Sequence, residues 1–463
     1  MKYISTRGDA PDLNFEEALL AGLATDGGLY VPAEWPKLDA KTLRSFQNKS
    51  YQEIAVEVML PFVGDTFDRE TFTRLVNTAY GRFAHDAVVP MKQLDGSTWL
   101  MELFHGPTLA FKDVALQLLG LMFDEVLTRR GEKITIVGAT SGDTGSAAIE
   151  ACRDRDSIDI FILHPHNRTS EVQRRQMTSV LSDNVHNIAL DGTFDDCQDM
   201  VKAMFADTQF RNDVNLSAVN SINWGRIMAQ IVYYVTAAVR IGAPERSLDV
   251  IVPTGNFGNI YAAHAAKCMG LPIEILGVAS NRNDILTRFF EADDMSIQGV
   301  EPSVSPSMDI QVSSNFERLL FDKMARDGDA VSKVMAEFRT SGKMQVPQGT
   351  WDAMKENFVA MSSSDEETLD EIKRDLSAYN EVIDPHTATG IRMANSRANT
   401  DRPVVVMATA HPAKFPDAVE KATGTRPELP ADLKDLFERE ERLQILEPDL
   451  SVVQAYVREH RVS

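Results

Sequence analysis

A lysine at the mouth of an apolar helix constrains this chain more than any other feature. The stretch His105-Gly-Pro-Thr-Leu-Ala-Phe-Lys-Asp113 runs directly into Val-Ala-Leu-Gln-Leu-Leu-Gly120. Framed by an aromatic and small apolar residues, Lys112 sits where a solubilising charge has little use. Burial disfavours the ammonium form, so such an amine tends to shed its proton and become a nucleophile able to form an imine with a carbonyl. The competing reading is a lysine that snorkels its ammonium out of the helix start. This stretch alone leaves both readings open.

The texture of the chain narrows the choice. From Glu132 onward, β-rich runs alternate with helical patterns. Strands are predicted at Lys133–Val137, Asp159–Leu163, Val185–Leu190, Asp249–Val252, Ile273–Val278 and Val404–Met407. Helices are predicted at Ser146–Arg153, Ser170–Leu181, Phe194–Phe205, Trp224–Arg240 and Tyr261–Met269. Such alternation implies parallel sheets covered by helices, with ligands at the carboxyl ends of the strands. Residues 1–95 read as a separate mixed N-terminal domain, with helical patterns at Asn14–Leu23 and Ser50–Val63. Residues 96–463 read as a second region of two α/β subdomains, in which 301–397 form a mostly helical, polar insertion. The alternating charges of Asp432–Arg442 suggest an exposed helix face.

Three loops carry chemistry. Gly138-Ala-Thr-Ser-Gly-Asp-Thr-Gly-Ser146 lies between a strand and a helix, where hydroxyls and backbone amides make an anion cradle. It lacks the lysine of a P-loop, so Thr140, Ser141 and Thr144 suit a carboxylate or a single phosphate better than a nucleoside triphosphate. Val252-Pro-Thr-Gly-Asn-Phe-Gly-Asn-Ile260 departs from dinucleotide-binding spacing, and Glu274 falls at the start of the next strand, a poor place to hold a ribose. Gly255, Asn256, Phe257 and Asn259 instead offer a nest for one phosphate. In Met407-Ala-Thr-Ala-His-Pro-Ala-Lys-Phe415, Thr409 is a hydroxyl at a strand end, suited to a neutral hydrogen bond, and His411 before Pro412 reads as a turn residue.

The balance of 47 Lys and Arg against 68 Asp and Glu gives a formal charge of −21, which argues against a general nucleic-acid binder. Any anionic substrate must therefore be drawn in by a local positive patch. Cys152, Cys197 and Cys268 are too widely spaced for a disulfide framework or a zinc site, and His164-Pro-His166 is too isolated a pair for a metal. No run approaches membrane-spanning length, so the expectation is a cytoplasmic protein binding neither metal, membrane nor nucleic acid.

Together these motifs resemble the threonine synthase family of fold-type II pyridoxal-phosphate enzymes, in the branch found in bacteria and yeast. The resemblance spans nearly the whole chain. It includes Tyr3-Ile-Ser-Thr-Arg-Gly8, Gly28-Leu-Tyr-Val-Pro32, Ser313-Ser-Asn-Phe-Glu-Arg-Leu-Leu320 and Asp384-Pro-His-Thr-Ala388 besides the three loops. It implies an α/β fold like that of the tryptophan synthase β chain, with two parallel or mixed α/β domains, the cofactor in their cleft, and an added N-terminal domain. It implies pyridoxal 5'-phosphate on Lys112, its phosphate on Gly255, Asn256, Phe257 and Asn259, and Thr409 facing the pyridine nitrogen. Thr140, Ser141 and Thr144 match the loop that holds the substrate carboxylate. Many fold-type II relatives carry Asn where this chain has Asp143, and a carboxylate facing inward would repel that substrate group, so the side chain is assigned no contact. The implied reaction turns O-phospho-L-homoserine and water into L-threonine and phosphate, in a monomer or homodimer. Asn167, Arg168, Arg174, Arg175 and Lys414 are candidates to hold the departing phosphate. The alternatives are another fold-type II lyase, such as a serine/threonine dehydratase, and a non-catalytic relative that only binds the cofactor.

Overall fold

The computed structural model describes residues 1–140, 142–219, 221–397 and 401–461. The chain divides into two compact units, each discontinuous in sequence. The smaller comprises Thr78–Arg82, Gly106–Asn220 and Glu428–Ser463, and the larger comprises Met1–Asn77, Phe83–His105 and Ser221–Pro427.

In the smaller unit five parallel strands lie in the order Gln444–Leu446, Val185–Leu190, Ile158–Pro165, Ile134–Ala139 and Leu216–Ser217. Every residue of Ile158–Pro165 is buried, which is what a central parallel strand covered on both faces demands of its sequence. Val137, Phe161, Leu163, Ile188, Cys197, Met204 and Val453 share one core. The helix Lys112–Arg130 buries most of its circumference and ends at Gly131, whose φ of 63° needs no Cβ. At Gly120 it packs directly on the helix Asp143–Cys152, since a Cβ there would lie 2.3 Å from the Ala151 carbonyl oxygen.

In the larger unit six strands run in the order Phe358–Ser362, Ile273–Ser280, Leu248–Pro253, Val404–Ala408, Thr98–Glu102 and Met91–Gln93. All neighbours are parallel except the final pair, an antiparallel edge. A separate two-stranded ribbon pairs Tyr3–Ser5 with Tyr30–Pro32. The carboxyl ends of Leu248–Pro253 and Val404–Ala408 lead into the Gly255 and Thr409 loops. That is where parallel sheets present their ligand-binding residues.

The strands and helices read from the alternating pattern are present, with ends shifted by a few residues. Two stretches differ. The 301–397 segment is mostly helical, yet Phe358–Ser362 within it forms the edge strand of the main sheet, a five-residue run too short to show a period. Asp432–Arg442 is a 3-10 turn at Ala431–Leu433 followed by irregular chain. Arg439 pairs with Asp435 within the segment, while its end is tied outside it: Arg442 N–H donates to the Thr178 carbonyl at 2.7 Å, and Glu441 accepts from the Thr178 hydroxyl at 2.7 Å.

Gly120→Ala should force two helices apart against backbone rather than a yielding side chain. A loss of about 2 kcal/mol or more is expected in equilibrium denaturation, and an unchanged unfolding midpoint would contradict the close approach.

Candidate functional site

In the smaller unit Lys112 is the first residue of its helix, and its side chain is only 12% exposed. The amine lies 3.3 Å from Asp143 Oδ2 and 5.3 Å from the centre of the Phe111 ring. Asp143 Oδ1 in turn accepts from Gln173 Nε2 at 2.8 Å. The helix start is fixed by its neighbour: buried Asp113 accepts from the backbone N–H and the hydroxyl of Thr108, both at 2.7 Å. Gly106 is required there, because a Cβ would meet Asp113 at 2.4 Å. Leu109, between them, adopts a left-handed φ of 62°. Such conformations cost free energy and persist where the surroundings impose them.

Of the hydroxyl loop, Thr140 is buried and its Oγ1 accepts from Gly142 N–H at 3.0 Å and Gly145 N–H at 2.9 Å. Its oxygen shapes the loop, leaving only its proton to offer elsewhere. Thr144 is half-buried in the first turn of the following helix. Ser141 lies outside the described residues. Asp143 was assigned no contact from sequence, and the structure pairs it with Lys112 instead.

In the larger unit the Gly255–Asn259 loop is braced from behind. Ser313 Oγ donates to the Gly255 carbonyl at 2.7 Å, while Asn315 donates to the Asn256 carbonyl from N–H at 3.1 Å and from Nδ2 at 3.0 Å. Phe257 takes a left-handed φ of 62° and opens the helix Gly258–Met269 without a side-chain cap. Asn259 Oδ1 accepts from the Tyr233 hydroxyl and, at 2.6 Å, from that of Tyr234. This fixes the amide orientation and leaves Asn259 Nδ2 buried with no protein partner among the described residues. On the same helix as the tyrosines, Arg226 is 4% exposed, and its Nε and Nη1 also have no partner there. Burial pulls its guanidinium pKa down to about 10.

Thr409 belongs to a second brace. Its N–H donates to Thr387 Oγ1 at 3.3 Å, and Thr387 donates to buried Asp384. Asp384 caps the helix Pro385–Ser396 and accepts from His386 N–H at 2.9 Å and from Nδ1 at 2.6 Å. His386 Nε2 then accepts from Ser307 N–H at 3.2 Å, which fixes the ring as the Nδ1–H tautomer. The Ser307 carbonyl backs directly onto Gly255, where a Cβ would approach to 2.9 Å. Thr409 is thus held by a polar chain that reaches Ser307, which packs against the Gly255 loop.

The other sequence candidates divide similarly. His411 Nδ1 accepts from Ala413 N–H at 3.1 Å, and burial pushes its pKa down to about 4, as suits a turn residue. Arg174 and Arg175 lie 3.1 and 3.4 Å from Glu441, tying down the C-terminal segment. Arg168 is exposed and Lys414 buried. Among the described residues no group of side chains has the makings of a metal site.

Residues 87–337 match the family model of pyridoxal-phosphate dependent enzymes, 2–80 that of the threonine synthase N terminus, and 387–457 that of the threonine synthase C-terminal region. Threonine synthase of Pseudomonas aeruginosa is 56% identical over 99% of this chain and 98% of its own length. The chain belongs to the threonine synthase family. PLP-bound threonine synthase from Brucella melitensis, 53% identical, matches with a TM-score of 0.98 over 99% of each chain. Yeast threonine synthase, 38% identical, matches at 0.95 over 99% of this chain and 98% of its own.

Pyridoxal phosphate is accordingly the cofactor, on a fold-type II α/β scaffold with the N-terminal segment of threonine synthases. The residues present fit that group. An ester phosphate needs N–H donors already desolvated and aimed, and Asn259 Nδ2 is such a donor beside an uncapped helix N-terminus. Gly255, with no Cβ, lets the Ser307 carbonyl close in behind the loop. Sequence reasoning missed Gln173, Tyr233, Tyr234, Asn315 and Arg226 as parts of this machinery. Asn315 lies in the Ser313–Leu320 motif already singled out, and Arg226 left its own signal, a lone cation within the apolar run Trp224–Val239.

Asp384→Ala removes an acceptor used by two residues in the buried brace. A loss of about 2–4 kcal/mol is expected, read as a lower denaturation midpoint; an unaltered midpoint would show that the brace carries no load.

Proposed function

We infer that the chain converts O-phospho-L-homoserine and water into L-threonine and phosphate, the last step of threonine biosynthesis, with Lys112 as the covalent anchor of pyridoxal 5'-phosphate. The observation that carries this assignment is the nearly buried Lys112 amine set against a carboxylate, in a chain similar to threonine synthases along its whole length. Bound there, the cofactor supplies an electron sink for negative charge at the substrate Cα.

This chain's own residues do the rest. The free amine of Lys112 takes the Cα proton, and Asp143, oriented by Gln173, stabilises the ammonium that results. Gly255, Asn256, Phe257 and Asn259 hold the cofactor phosphate. Thr409 gives the pyridine nitrogen a neutral partner. Thr140, Ser141 and Thr144 hold the substrate carboxylate by donating hydrogen bonds. Arg226, buried and with Nε and Nη1 without protein partners among the described residues, suits the substrate phosphate better than Arg174 or Arg175, which are engaged with Glu441. The same proposal takes 1–95 as the N-terminal domain and 96–463 as the catalytic region. It also takes the enzyme to work in the cytoplasm as a monomer or homodimer. No helix among the described residues is long and apolar enough to cross a membrane, and all three cysteines are free.

The deciding assay follows inorganic phosphate and threonine together on adding phosphohomoserine. Equal release supports the assignment, whereas turnover of serine or threonine to keto acids without phosphate would replace it with a dehydratase. Lys112→Ala should abolish the borohydride-reducible cofactor and lower kcat by about 10⁴-fold or more. Asp143→Asn, nearly isosteric but neutral, should retain bound cofactor and lose about tenfold or more in kcat; full activity would remove Asp143 from the proton chemistry.

A further inference from the structure

The three cysteines of this chain live in different surroundings. Burial pushes the Cys152 thiol up to about 12 and the Cys197 thiol up to about 11, so both are inert packing residues. Cys268 is half-buried near the end of the helix Gly258–Met269 and lines an open cavity of about 400 Å³ within the larger unit. Trp35, His264, Asp322, Lys323 and Arg326 line it too.

The groups around the sulfur form a built arrangement. One turn earlier on the same helix, His264 Nε2 lies 3.6 Å from Cys268 Sγ and 3.5 Å from Asp322 Oδ2. Asp322 is held by the Tyr261 hydroxyl at 2.9 Å and by Arg326 Nε at 3.0 Å. Burial works against charge on His264, but its contacts with Asp322 and Cys268 outweigh burial and raise its pKa to about 9. The ring nitrogen is thus in contact with both the carboxylate and the sulfur. Lys37 Nζ donates to the Cys268 carbonyl oxygen at 3.1 Å. Arg326 Nη2 is buried with no protein partner among the described residues. A half-exposed thiol beside a histidine that a carboxylate positions, in an open cavity lined also by Lys323 and Arg326, has the makings of a nucleophile for an anionic reagent.

We propose that Cys268 is a thiol-exchange site, separate from the residues assigned to catalysis, that forms a mixed disulfide with a small carboxylate-bearing disulfide. The thiol first releases its proton to water, and the His264 Nε2–H donates to the resulting thiolate. That thiolate attacks one sulfur of the disulfide, forming a new S–S bond as the old one breaks. The departing half leaves as a thiolate and takes a proton from water. The Cys268 sulfur is thereby oxidised and the departing sulfur reduced, with no further oxidant required.

The test uses the full-length holoenzyme with glutathione disulfide as the probe, followed by intact mass and peptide mapping. One glutathione per chain is expected, on Cys268, at least about tenfold faster than the same cysteine reacts in the urea-unfolded chain. Cys152 and Cys197 should react more slowly when folded than unfolded. His264→Gln should bring the Cys268 rate down to the unfolded value, and Cys268→Ser should abolish labelling while sparing threonine formation. Should His264→Gln fail to fold, the wild-type protein still decides. The rate ratio of iodoacetate to iodoacetamide at Cys268 should exceed its value in the unfolded chain, reporting the cationic cavity. A Cys268 slower in the folded enzyme than in urea, or a ratio no higher than in urea, overturns the proposal.

Discussion

The contact between the Lys112 amine and the Asp143 carboxylate, at 3.3 Å, governs how the smaller unit must be built. Both side chains are almost withdrawn from solvent, with 12% and 7% exposed. Desolvating two opposite charges costs several kcal/mol per ion, and mutual attraction offsets this only when the remaining lone pairs are also satisfied. Gln173 supplies that satisfaction to Asp143 from the next helix. A pair of this kind adds little to stability compared with apolar packing, so its worth lies in what the amine can do. The surrounding devices serve one end, which is to hold an amine in a fixed place without solvating it. They include the Thr108–Asp113 bonds, the Gly106 approach and the left-handed Leu109.

The larger unit meets a different constraint with the same economy. A loop that receives a phosphate must leave N–H donors unpaired inside the protein, and unpaired buried donors are costly until the ligand arrives. Such a loop tends to collapse onto itself unless its other polar atoms are already committed. Here they are committed outward. The Gly255 and Asn256 carbonyls accept from Ser313 and Asn315, and Asn259 Oδ1 is taken by two tyrosine hydroxyls. Asn315 Oδ1 accepts from Arg318, which is fully buried and reaches the Tyr30 and Ile222 carbonyls at 3.0 and 2.6 Å. The adjacent Glu317 is paired with Arg7 at 2.9 Å and accepts from Thr6 at 2.6 Å. The N-terminal motifs thus stand behind the Gly255–Asn259 loop within one unit.

These braces mark the limit of what could be read from the residues. The parallel sheets were legible because buried strands and helices alternate with clear periods, and the ligand loops because glycine and hydroxyl residues cluster at strand ends. The Lys112 motif was legible because a cation is out of place in an apolar helix start. Partnerships across long stretches of chain were not. Gln173 lies 30 residues from Asp143, and Asn315 lies 59 from Asn256, with nothing in either local sequence to announce the bond. The edge strand Phe358–Ser362 was hidden among helical sequence for the same reason: pairing with Ile273–Ser280 decides its state, and its own five residues do not.

Asp143 shows where local reasoning failed and why. Judged against an incoming carboxylate, a negative side chain in that loop is a liability, and the inference was that it must face away. The argument considered only the ligand's charge and left out that of the lysine. With an ammonium beside it, the carboxylate neutralises a local cation, so the field met by an anionic substrate depends on the pair and not on either member. The same accounting explains how a chain of formal charge −21 can take a phosphorylated substrate. The net charge sets the distant field, but the loops themselves present N–H donors and hydroxyls. At contact distance in a desolvated site those groups outweigh a diffuse surface charge that solvent screens.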